Sequence, residues 1–262
     1  MRIEFLTQDD PLYVLPFFDE FIRNYASEFE VLHIATSPTM GKRSRVQLIK
    51  ELTQLYGVFG MVRLVRRLVV ARIAGKSSKR PAAKRYWTLA QLCRAYNIRH
   101  SQIGNPNDPA FINSIRQRRP DLLISVACPY IFREPLLTIA PKGAINIHHA
   151  PLPKYKGMMP TFWQMFHGEK TVGLTIHCMV PKIDEGESIF QDRQAIVQGE
   201  SLDHLIQRSK RHGAHCMAQV IRQIKDGTAR RLALDSSEGS SYFTFPTLAE
   251  IREFRRRGYR AL

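Results

Sequence analysis

Residues 143–186 read GAINIHHAPLPKYKGMMPTFWQMFHGEKTVGLTIHCMVPKIDEG, and this stretch decides the fold. It begins with a short apolar strand, Ala144 to His148. Because successive side chains on a strand point to opposite faces, Asn146 and His148 share one face of that strand. A loop rich in Pro and Gly follows at once, so the polar pair lies where a strand opens into a loop. Open α/β sheets bind their ligands at such places.

A second apolar run spans residues 172–180, and the acidic turn that follows it contains Asp184. If the two runs form neighbouring strands, the Asp184 carboxylate returns to Asn146 and His148. This arrangement predicts a group of an amide, an imidazole and a carboxylate, in which the carboxylate raises the pKa of His148 and holds its ring protonated. His177 lies on the second run, where its alternation with Thr175 is compatible with a place near the site, but we interpret it as structural, like most of the other histidines.

The elements before this stretch predict an open, mostly parallel, Rossmann-like α/β sheet with helices on both faces. Residues 2–6 and 29–35 read as strands, and Pro11 indicates the start of a helix between them. A strand, a helix and a strand in this order are typical of a parallel sheet with right-handed crossovers. Residues 120–127 contain an uninterrupted apolar run, which is typical of a strand covered by helices on both sides. The loop after the first strand lacks Gly-x-Gly-x-x-Gly, so a nicotinamide or flavin dinucleotide is not predicted.

The last part of the chain predicts one long helix and a short tail. Ser201 is expected to cap the helix, and Gly227 is expected to end it. We therefore expect a catalytic domain over residues 1–227 and a short C-terminal extension over residues 228–262. The extension is predicted to contain a short strand at residues 230–234 and a basic helix after it.

Residues 41–86 form a basic insertion that does not belong to the sheet pattern. The spacing of its apolar residues predicts one or two basic amphipathic helices with a break at Gly57 and Gly60, and then a loop at residues 77–81. In one interpretation the helices pack on the sheet and keep their basic side chains in water. In the other, the insertion binds a membrane surface or phosphate groups. The apolar residues that define the pattern are Leu48, Leu52, Leu55, Phe59, Val62, Val65, Leu68 and Ile73.

The composition indicates a globular chain with a strong positive charge. Its 262 residues are 44% hydrophobic and carry a net charge of +16 at pH 7, which favours an anionic partner. The four cysteines are far apart, and no Cys-x-x-Cys or Cys/His ligand spacing is recognised, so no metal site is predicted. The chain shows no signal peptide and no uncharged stretch of membrane-spanning length, which predicts a cytoplasmic location.

Residues 120–209 resemble the 10-formyltetrahydrofolate-dependent formyltransferases and hydrolases. The motifs that carry the resemblance are NIHHAPLPKYKG at residues 146–157, Pro-x-x-Trp at residues 160–163 and IDEG at residues 183–186. The superfamily includes glycinamide ribonucleotide, methionyl-tRNA and sugar-nucleotide amine formyltransferases, and formyltetrahydrofolate deformylase. Many members read His-x-Ser-Leu-Leu-Pro, whereas this chain has Ala150 at the serine position.

The resemblance implies a set of site residues that flank the two apolar runs. It implies 10-formyltetrahydrofolate as the co-substrate, no metal, and a catalytic triad of Asn146, His148 and Asp184. The residues implied to bind the folate are Cys128, Pro129, Tyr130, Ile131, Leu152, Pro153, Ile183 and Glu185. The residues implied to contact the substrate are Tyr155, Lys156 and Gly157.

The acceptor of the formyl group is open between several classes. We expect a small amine with an anionic part, such as an amino sugar linked to a nucleotide, because its phosphates suit the basic surface. The residues after 227 are too few for the further domain of the methionyl-tRNA enzymes. That activity and formyltetrahydrofolate deformylase remain alternatives. The non-enzymatic alternative is a protein that binds RNA or a membrane surface through residues 41–86, and a homodimer is also left open.

Overall fold

The computed structural model describes residues 1–38, 44–76, 85–237 and 239–262. Within them, seven strands form one sheet and two short strands pair separately. The strands are β1 Arg2–Gln8, β2 Glu30–Ser37, β3 His100–Gln102, β4 Leu122–Val126, β5 Ala144–His148, β6 Lys156–Gly157, β7 Thr171–Cys178, β8 Ser188–Ala195 and β9 Tyr242–Phe243. The helices are α1 Leu15–Tyr25, α2 Arg45–Gly75, α3 Leu89–Ala95, α4 Pro109–Arg118, α5 Glu134–Leu137, α6 Pro160–Phe166, α7 Leu202–Asp226 and α8 Leu248–Arg256.

The main sheet confirms the predicted open, mostly parallel α/β fold. Its strand order is β3-β2-β1-β4-β5-β7-β8, and the first five strands are parallel to their neighbours. The strand β7 runs antiparallel to β5, and β8 runs antiparallel to β7. The predicted strand Ala144–His148 therefore lies between a parallel and an antiparallel neighbour.

The largest core cluster lies between the sheet and the helices α1 and α7. Phe5 of β1 packs edge-on against Phe18 and Phe21 of α1, with 5.2 Å between ring centroids in both pairs. On α7, a Cβ atom added at Gly213 would lie 2.8 Å from the side chain of Ile147 on β5. Glycine at this position therefore lets α7 approach the strand that carries the predicted site.

Capping residues explain where α7 begins and ends and where α4 begins. The Ser201 hydroxyl accepts a hydrogen bond from the backbone N–H of His204 and so starts α7, as predicted. Gly227 ends α7 in the left-handed conformation at φ 72°, which costs glycine least. The carboxylate of Asp108 caps α4 in the same way as Ser201 caps α7.

Two predicted elements differ from the structure. The helix α1 begins at Leu15 instead of near Pro11, because the Asp10 carboxylate accepts backbone N–H bonds two and three residues later and so organises a separate turn. The strand predicted at residues 230–234 is reduced to a single bridge from Leu232 to β8. Leu232 is exposed, so this segment has no apolar face that pairing with the sheet would bury.

The helix α2 lies within the predicted basic insertion, and it breaks at Gly57, where φ is 68°. Leu55, Leu64 and Ala71 turn inward and are buried. The positive φ at Gly57 changes the phase of the helix, so a spacing counted across it does not stay on one face. In consequence, four residues of the predicted pattern are exposed instead of packed, namely Phe59, Val62, Val65 and Ile73.

Residues 41–43 and the loop predicted at residues 77–81 lie outside the described residues. In the described part of the chain, no helix combines the length and the apolar character needed to cross a membrane.

The C-terminal extension packs on the rest of the chain. Its strand β9 pairs with β6, and its helix α8 contributes Phe254, whose ring stacks on Phe162 of α6 at 4.6 Å. The Trp163 indole donates a hydrogen bond to the backbone carbonyl of Thr244 at 3.0 Å. Trp163 itself is buried. The extension thus holds the loop around β6, which flanks the predicted site.

Candidate active site

The three side chains of the predicted triad lie close together beside β5. The Nδ1 atom of His148 is 3.5 Å from the Oδ2 atom of Asp184. The Nδ2 atom of Asn146 is 3.1 Å from the Nε2 atom of His177, which is 3.6 Å from the Oδ1 atom of Asp184. The turn between β7 and β8 therefore folds back far enough to place its carboxylate between two histidines, both of which are buried.

His177 belongs to this group, although its sequence context had suggested a structural role. In the antiparallel pairing of β5 and β7, Asn146 lies opposite His177 and His148 lies opposite Thr175. Residues that face each other across a strand pair have their side chains on the same side of the sheet. The alternation of Thr175 and His177 was the only signal in the sequence, and it becomes informative only when the strand pairing is known.

The hydrogen bonds of the two histidines fix which ring nitrogen carries the proton. The Nε2 atom of His148 is 2.8 Å from the backbone carbonyl oxygen of Tyr155, which can only accept. The Nε2 atom therefore carries the proton, and the Nδ1 atom of the neutral ring presents a lone pair towards Asp184. In His177 the Nδ1–H donates to the carbonyl of Cys178 at 2.9 Å, so its Nε2 atom accepts from Asn146.

Burial sets the charge of the site. Burial lowers the pKa of His148, and the nearby Asp184 carboxylate offsets this only in part. Burial also opposes ionisation of Asp184, but contact with His177, the nearby ring of His148 and the N–H of Gly157 together lower its pKa to about 2. The expectation that Asp184 keeps His148 protonated is therefore wrong, because the desolvation of the ring outweighs the attraction of the carboxylate. At neutral pH the site holds a carboxylate and a neutral imidazole.

The segment predicted to contact substrate positions Asp184. The backbone N–H of Gly157 donates to the Oδ2 atom of Asp184 at 3.0 Å. Gly157 has φ 90°, and a Cβ atom there would lie 2.3 Å from the carbonyl oxygen of Phe243 on β9, so only glycine fits. The Tyr155 hydroxyl donates to Glu169 at 2.7 Å, and its ring stacks on Phe243. Tyr155 therefore offers the site its backbone carbonyl, since its side chain is occupied elsewhere.

The loop after β5 is held by a polar residue of β7. The Thr175 hydroxyl donates to the carbonyl of Ala150 at 2.7 Å and accepts from the backbone N–H of Leu152 at 3.1 Å. Ala150 is fully buried and has no side-chain hydrogen-bonding group. Leu152 and Pro153, predicted to bind folate, are buried too.

The other predicted folate-binding residues lie on two loops near His148. Residues 128–131 follow β4, whose last residue pairs with Ile147 beside His148. Ile131 in this loop and Ile183 beside Asp184 are both exposed apolar side chains. Burial raises the pKa of the Cys128 thiol to about 11, so it stays protonated. These two loops offer apolar surface on which a flat ring can pack.

Lys156 and Glu185, predicted to contact substrate and folate respectively, contact each other. The Nζ atom of Lys156 is 3.3 Å from the Oε1 atom of Glu185. The pair links β6 to the turn that carries Asp184, so it helps to fix the position of that turn. A ligand that uses either residue meets a side chain that is already partnered.

One group of possible metal ligands occurs among the described residues. Asp192 of β8 and His212 and Cys216 of α7 bring their ligand atoms within 4.8 Å of one another. His212 and Cys216 are four residues apart on one helix, so the expectation of no Cys/His ligand spacing was wrong. His212 donates to Asp192 at 2.7 Å, and burial raises the pKa of Cys216 to about 12. The three groups thus satisfy one another as a hydrogen-bonded network.

Comparison with known proteins places the chain in one family. The sequence profile described as formyl transferase matches residues 66–221, which is more than half of the chain. A methionyl-tRNA formyltransferase from Acetivibrio thermocellus is 31% identical over 136 residues, which are 52% of this chain and 44% of that protein. The chain therefore spans less than half the length of this curated relative.

Solved structures show the same fold. The glycinamide ribonucleotide transformylase 1 from Symbiobacterium toebii has a TM-score of 0.60 at 18% identity, covering 90% of this chain and 94% of that one. An N-formyltransferase from Helicobacter canadensis, solved with folinic acid and dTDP-3-aminofucose, has a TM-score of 0.55 at 16% identity and covers 96% and 78%. With the profile match and the Asn146, His148 and Asp184 geometry, these findings lead to one conclusion: the chain belongs to the formyl transferase family.

Proposed function

We propose that this protein transfers a formyl group from 10-formyltetrahydrofolate to the amine of a small anionic acceptor. The observation that carries the proposal is the approach of the Asp184 carboxylate to the Nδ1 atom of His148, at 3.5 Å, with Asn146 linked to the same carboxylate through His177. Family membership supports it. The catalytic part is assigned to residues 1–227, with residues 228–262 as an extension that braces the loop around β6.

The reaction defines what the site must supply. The amine nitrogen attacks the formyl carbon, a new C–N bond forms, and the carbonyl oxygen becomes negative in a tetrahedral intermediate. The attacking nitrogen must then lose a proton, and the folate nitrogen must gain one as its bond to carbon breaks. No protein nucleophile is needed, so a site with an amide, an imidazole and a carboxylate is sufficient.

His148 and Asp184 together handle the proton. The Nδ1 lone pair faces the carboxylate without a proton between them, so the pair takes up the proton from the attacking amine. The imidazolium that forms beside an ionised carboxylate is stabilised by it. The same Nδ1–H then protonates the departing folate nitrogen, which returns His148 to its neutral form. Proton transfer of this kind contributes about 10²- to 10⁴-fold in rate.

Asn146 is assigned the role of stabilising the developing oxyanion. One N–H of its amide donates to His177, which fixes the orientation of the group, and the second N–H is available to the negative oxygen. An amide does not titrate, so the donor is present at every pH at which His148 and Asp184 work. Removing one such donor costs about 10²- to 10³-fold in kcat.

The folate is assigned to the loops that leave β4 and β5 and to the turn that carries Asp184. The exposed side chains of Ile131 and Ile183 supply apolar contact for the pterin ring, while the buried Leu152 and Pro153 keep the loop in place. Support comes from the fold neighbour of Helicobacter canadensis, which was solved with folinic acid. The full set of assigned folate contacts is Cys128, Pro129, Tyr130, Ile131, Leu152, Pro153, Ile183 and Glu185, and that of substrate contacts is Tyr155, Lys156 and Gly157.

The acceptor is assigned to the amino sugars linked to a nucleotide. The net charge of +16 favours an acceptor with phosphates. The same neighbour was solved with dTDP-3-aminofucose, an amino sugar of this kind. Hydrolysis of 10-formyltetrahydrofolate, with water in place of the amine, is the second candidate, because the proton-accepting pair can activate either nucleophile.

Incubation with 10-formyltetrahydrofolate separates these two functions. We expect tetrahydrofolate to form only when an amine is present, and an amino sugar nucleotide to gain the mass of one formyl group. The panel should include glycinamide ribonucleotide and methionyl-tRNA, together with a mixture that contains no acceptor. Rapid tetrahydrofolate release in the mixture without acceptor would contradict the transferase proposal and favour a hydrolase.

A further inference from the structure

The outer face of α2 carries a continuous apolar stripe. Its five residues follow Gly57 at spacings of four, three, four and four, which places them on one side of the helix. Their exposed fractions are 69% for Val58, 65% for Val62, 50% for Val65, 47% for Val69 and 69% for Ile73. Soluble proteins seldom leave so ordered a row of large apolar side chains in water.

The opposite face of α2 is already used to hold the helix on the protein. Leu64 and Ala71 are buried, and the carbonyl of Gly75 at the helix end accepts a hydrogen bond from Arg94 at 2.9 Å. Near the middle, Arg67 forms an ion pair with Asp203 of α7 at 3.0 Å. These contacts fix the rotation of α2 about its axis. The apolar stripe therefore faces away from the rest of the protein and can contact a binding partner.

The charges around the stripe have one sign. Arg63, Arg66 and Arg72 are exposed residues of the same helix segment. In the sequence, no Asp or Glu occurs between Glu51 and Asp108, whereas eleven Lys or Arg residues do. A helix with an apolar stripe and basic flanks lies in the surface of an anionic bilayer, with its apolar side in the acyl boundary and its basic side chains at the phosphates.

The charge pattern also argues against other occupants. If a second copy of this chain covered the stripe, the arginines of its α2 would face the arginines of the first α2, and this segment has no carboxylates to separate them. Like charges that face each other across a pair of helices disfavour association. A nucleic acid would satisfy the arginines but leave the five apolar side chains against phosphates and sugars. An anionic lipid surface satisfies both parts of the pattern.

We propose that α2 docks this protein on anionic membrane surfaces through Val58, Val62, Val65, Val69 and Ile73. The inference is independent of the proposed formyl transfer, because α2 carries none of the residues assigned to that reaction. Docking leaves the chain outside the bilayer core, since no described helix meets the requirements for spanning it.

Sedimentation with vesicles tests the proposal on the full chain. We expect binding to vesicles of phosphatidylcholine mixed with phosphatidylglycerol, weaker binding as salt is raised, and little binding to phosphatidylcholine alone. The double variant with Val62→Asp and Val69→Asp should bind the mixed vesicles about tenfold or more weakly. Both positions are exposed, so the variant should keep the wild-type circular dichroism spectrum.

A matched control uses another exposed valine. Val197 lies between β8 and α7 and is 59% exposed, so Val197→Asp adds, away from the stripe, the same charge as each single substitution on it. It should bind vesicles like the wild type. Light scattering in the absence of lipid should give the same molecular mass for the wild type and for the double variant. The proposal is overturned if the wild type ignores anionic vesicles, if both vesicle types bind equally, or if the wild type is a dimer that the double variant dissociates.

Discussion

Replacing Asp184 by Asn, or His148 by Gln, will lower kcat for formyl transfer by about 10²- to 10⁴-fold. Asp184→Asn keeps the shape of the side chain, and His148→Gln keeps a neutral polar side chain, but each removes one half of the proton-accepting pair. Because the two groups act together on the proton taken from the amine, the double variant should lose little more than either single variant. Initial rates of tetrahydrofolate formation with a saturating amine acceptor measure the effect.

A second Asp–His pair in the chain provides the control. The Oδ2 atom of Asp192 on β8 lies 2.7 Å from the Nε2 atom of His212 on α7. The variant Asp192→Asn changes a similar contact outside the assigned site, so it should leave kcat unchanged. The pH profile gives a further check. Because the pKa of His148 is lowered, kcat/KM should stay level down to about pH 6.5, the ordinary value for histidine, and fall only below it. Rates near the wild type in both single variants would contradict the assignment.

Replacing Glu4 by Gln will lower the free energy of unfolding by about 3–5 kcal/mol. Glu4 is fully buried on β1, where its two carboxylate oxygens accept hydrogen bonds from Arg118 at 2.7 and 2.9 Å. Its Oε1 atom is also 3.1 Å from His33. The Arg118 side chain is only 12% exposed, so removing the negative charge of Glu4 leaves a buried positive charge without a compensating carboxylate. Urea unfolding at pH 7 measures the loss.

An exposed pair of the same geometry is the matched control. Arg222 makes two hydrogen bonds to Glu28, at 2.6 and 2.7 Å, but both side chains are more than a third exposed, so Glu28→Gln should cost less than about 1 kcal/mol. Burial opposes the charge of Glu4, but its contacts with His33 and Arg118 lower its pKa overall. A lowered carboxyl pKa stabilises the fold above the unfolded value of about 4.3, so the gap between wild type and Glu4→Gln should narrow as the pH falls below that. Equal losses in the two variants at pH 7 would show that the burial of Glu4 has no energetic consequence.

Local sequence signals account for much of the fold. The strand Ala144–His148 has the predicted bounds because apolar and polar residues alternate there, and α7 ends at Gly227 because glycine adopts a positive φ without strain. The exposed stripe of α2 was not predicted, since the phase of the helix changes at Gly57. A spacing pattern carries no information about the backbone angles of the residue that interrupts it.

The site could be predicted in part. Asn146, His148 and Asp184 were found from motifs, but His177 required the register of β5 and β7, which no local pattern contains. The charge of His148 was predicted incorrectly, because it depends on how deeply the ring is buried. That burial arises where the loop after β5 brings the Tyr155 carbonyl onto the ring and the turn after β7 brings Asp184 beside it, and the second contact depends on how β5 and β7 pair.

A crystal structure with bound folinic acid tests whether Asn146, His148 and Asp184 surround the place where the formyl group is transferred. We expect the pterin ring against Ile131 and Ile183, with the N10 nitrogen of the folate beside the Asn146 amide and the Nδ1 atom of His148. A folate bound at another surface, with the group of Asn146, His148 and Asp184 open to solvent and without contact to the ligand, would contradict it.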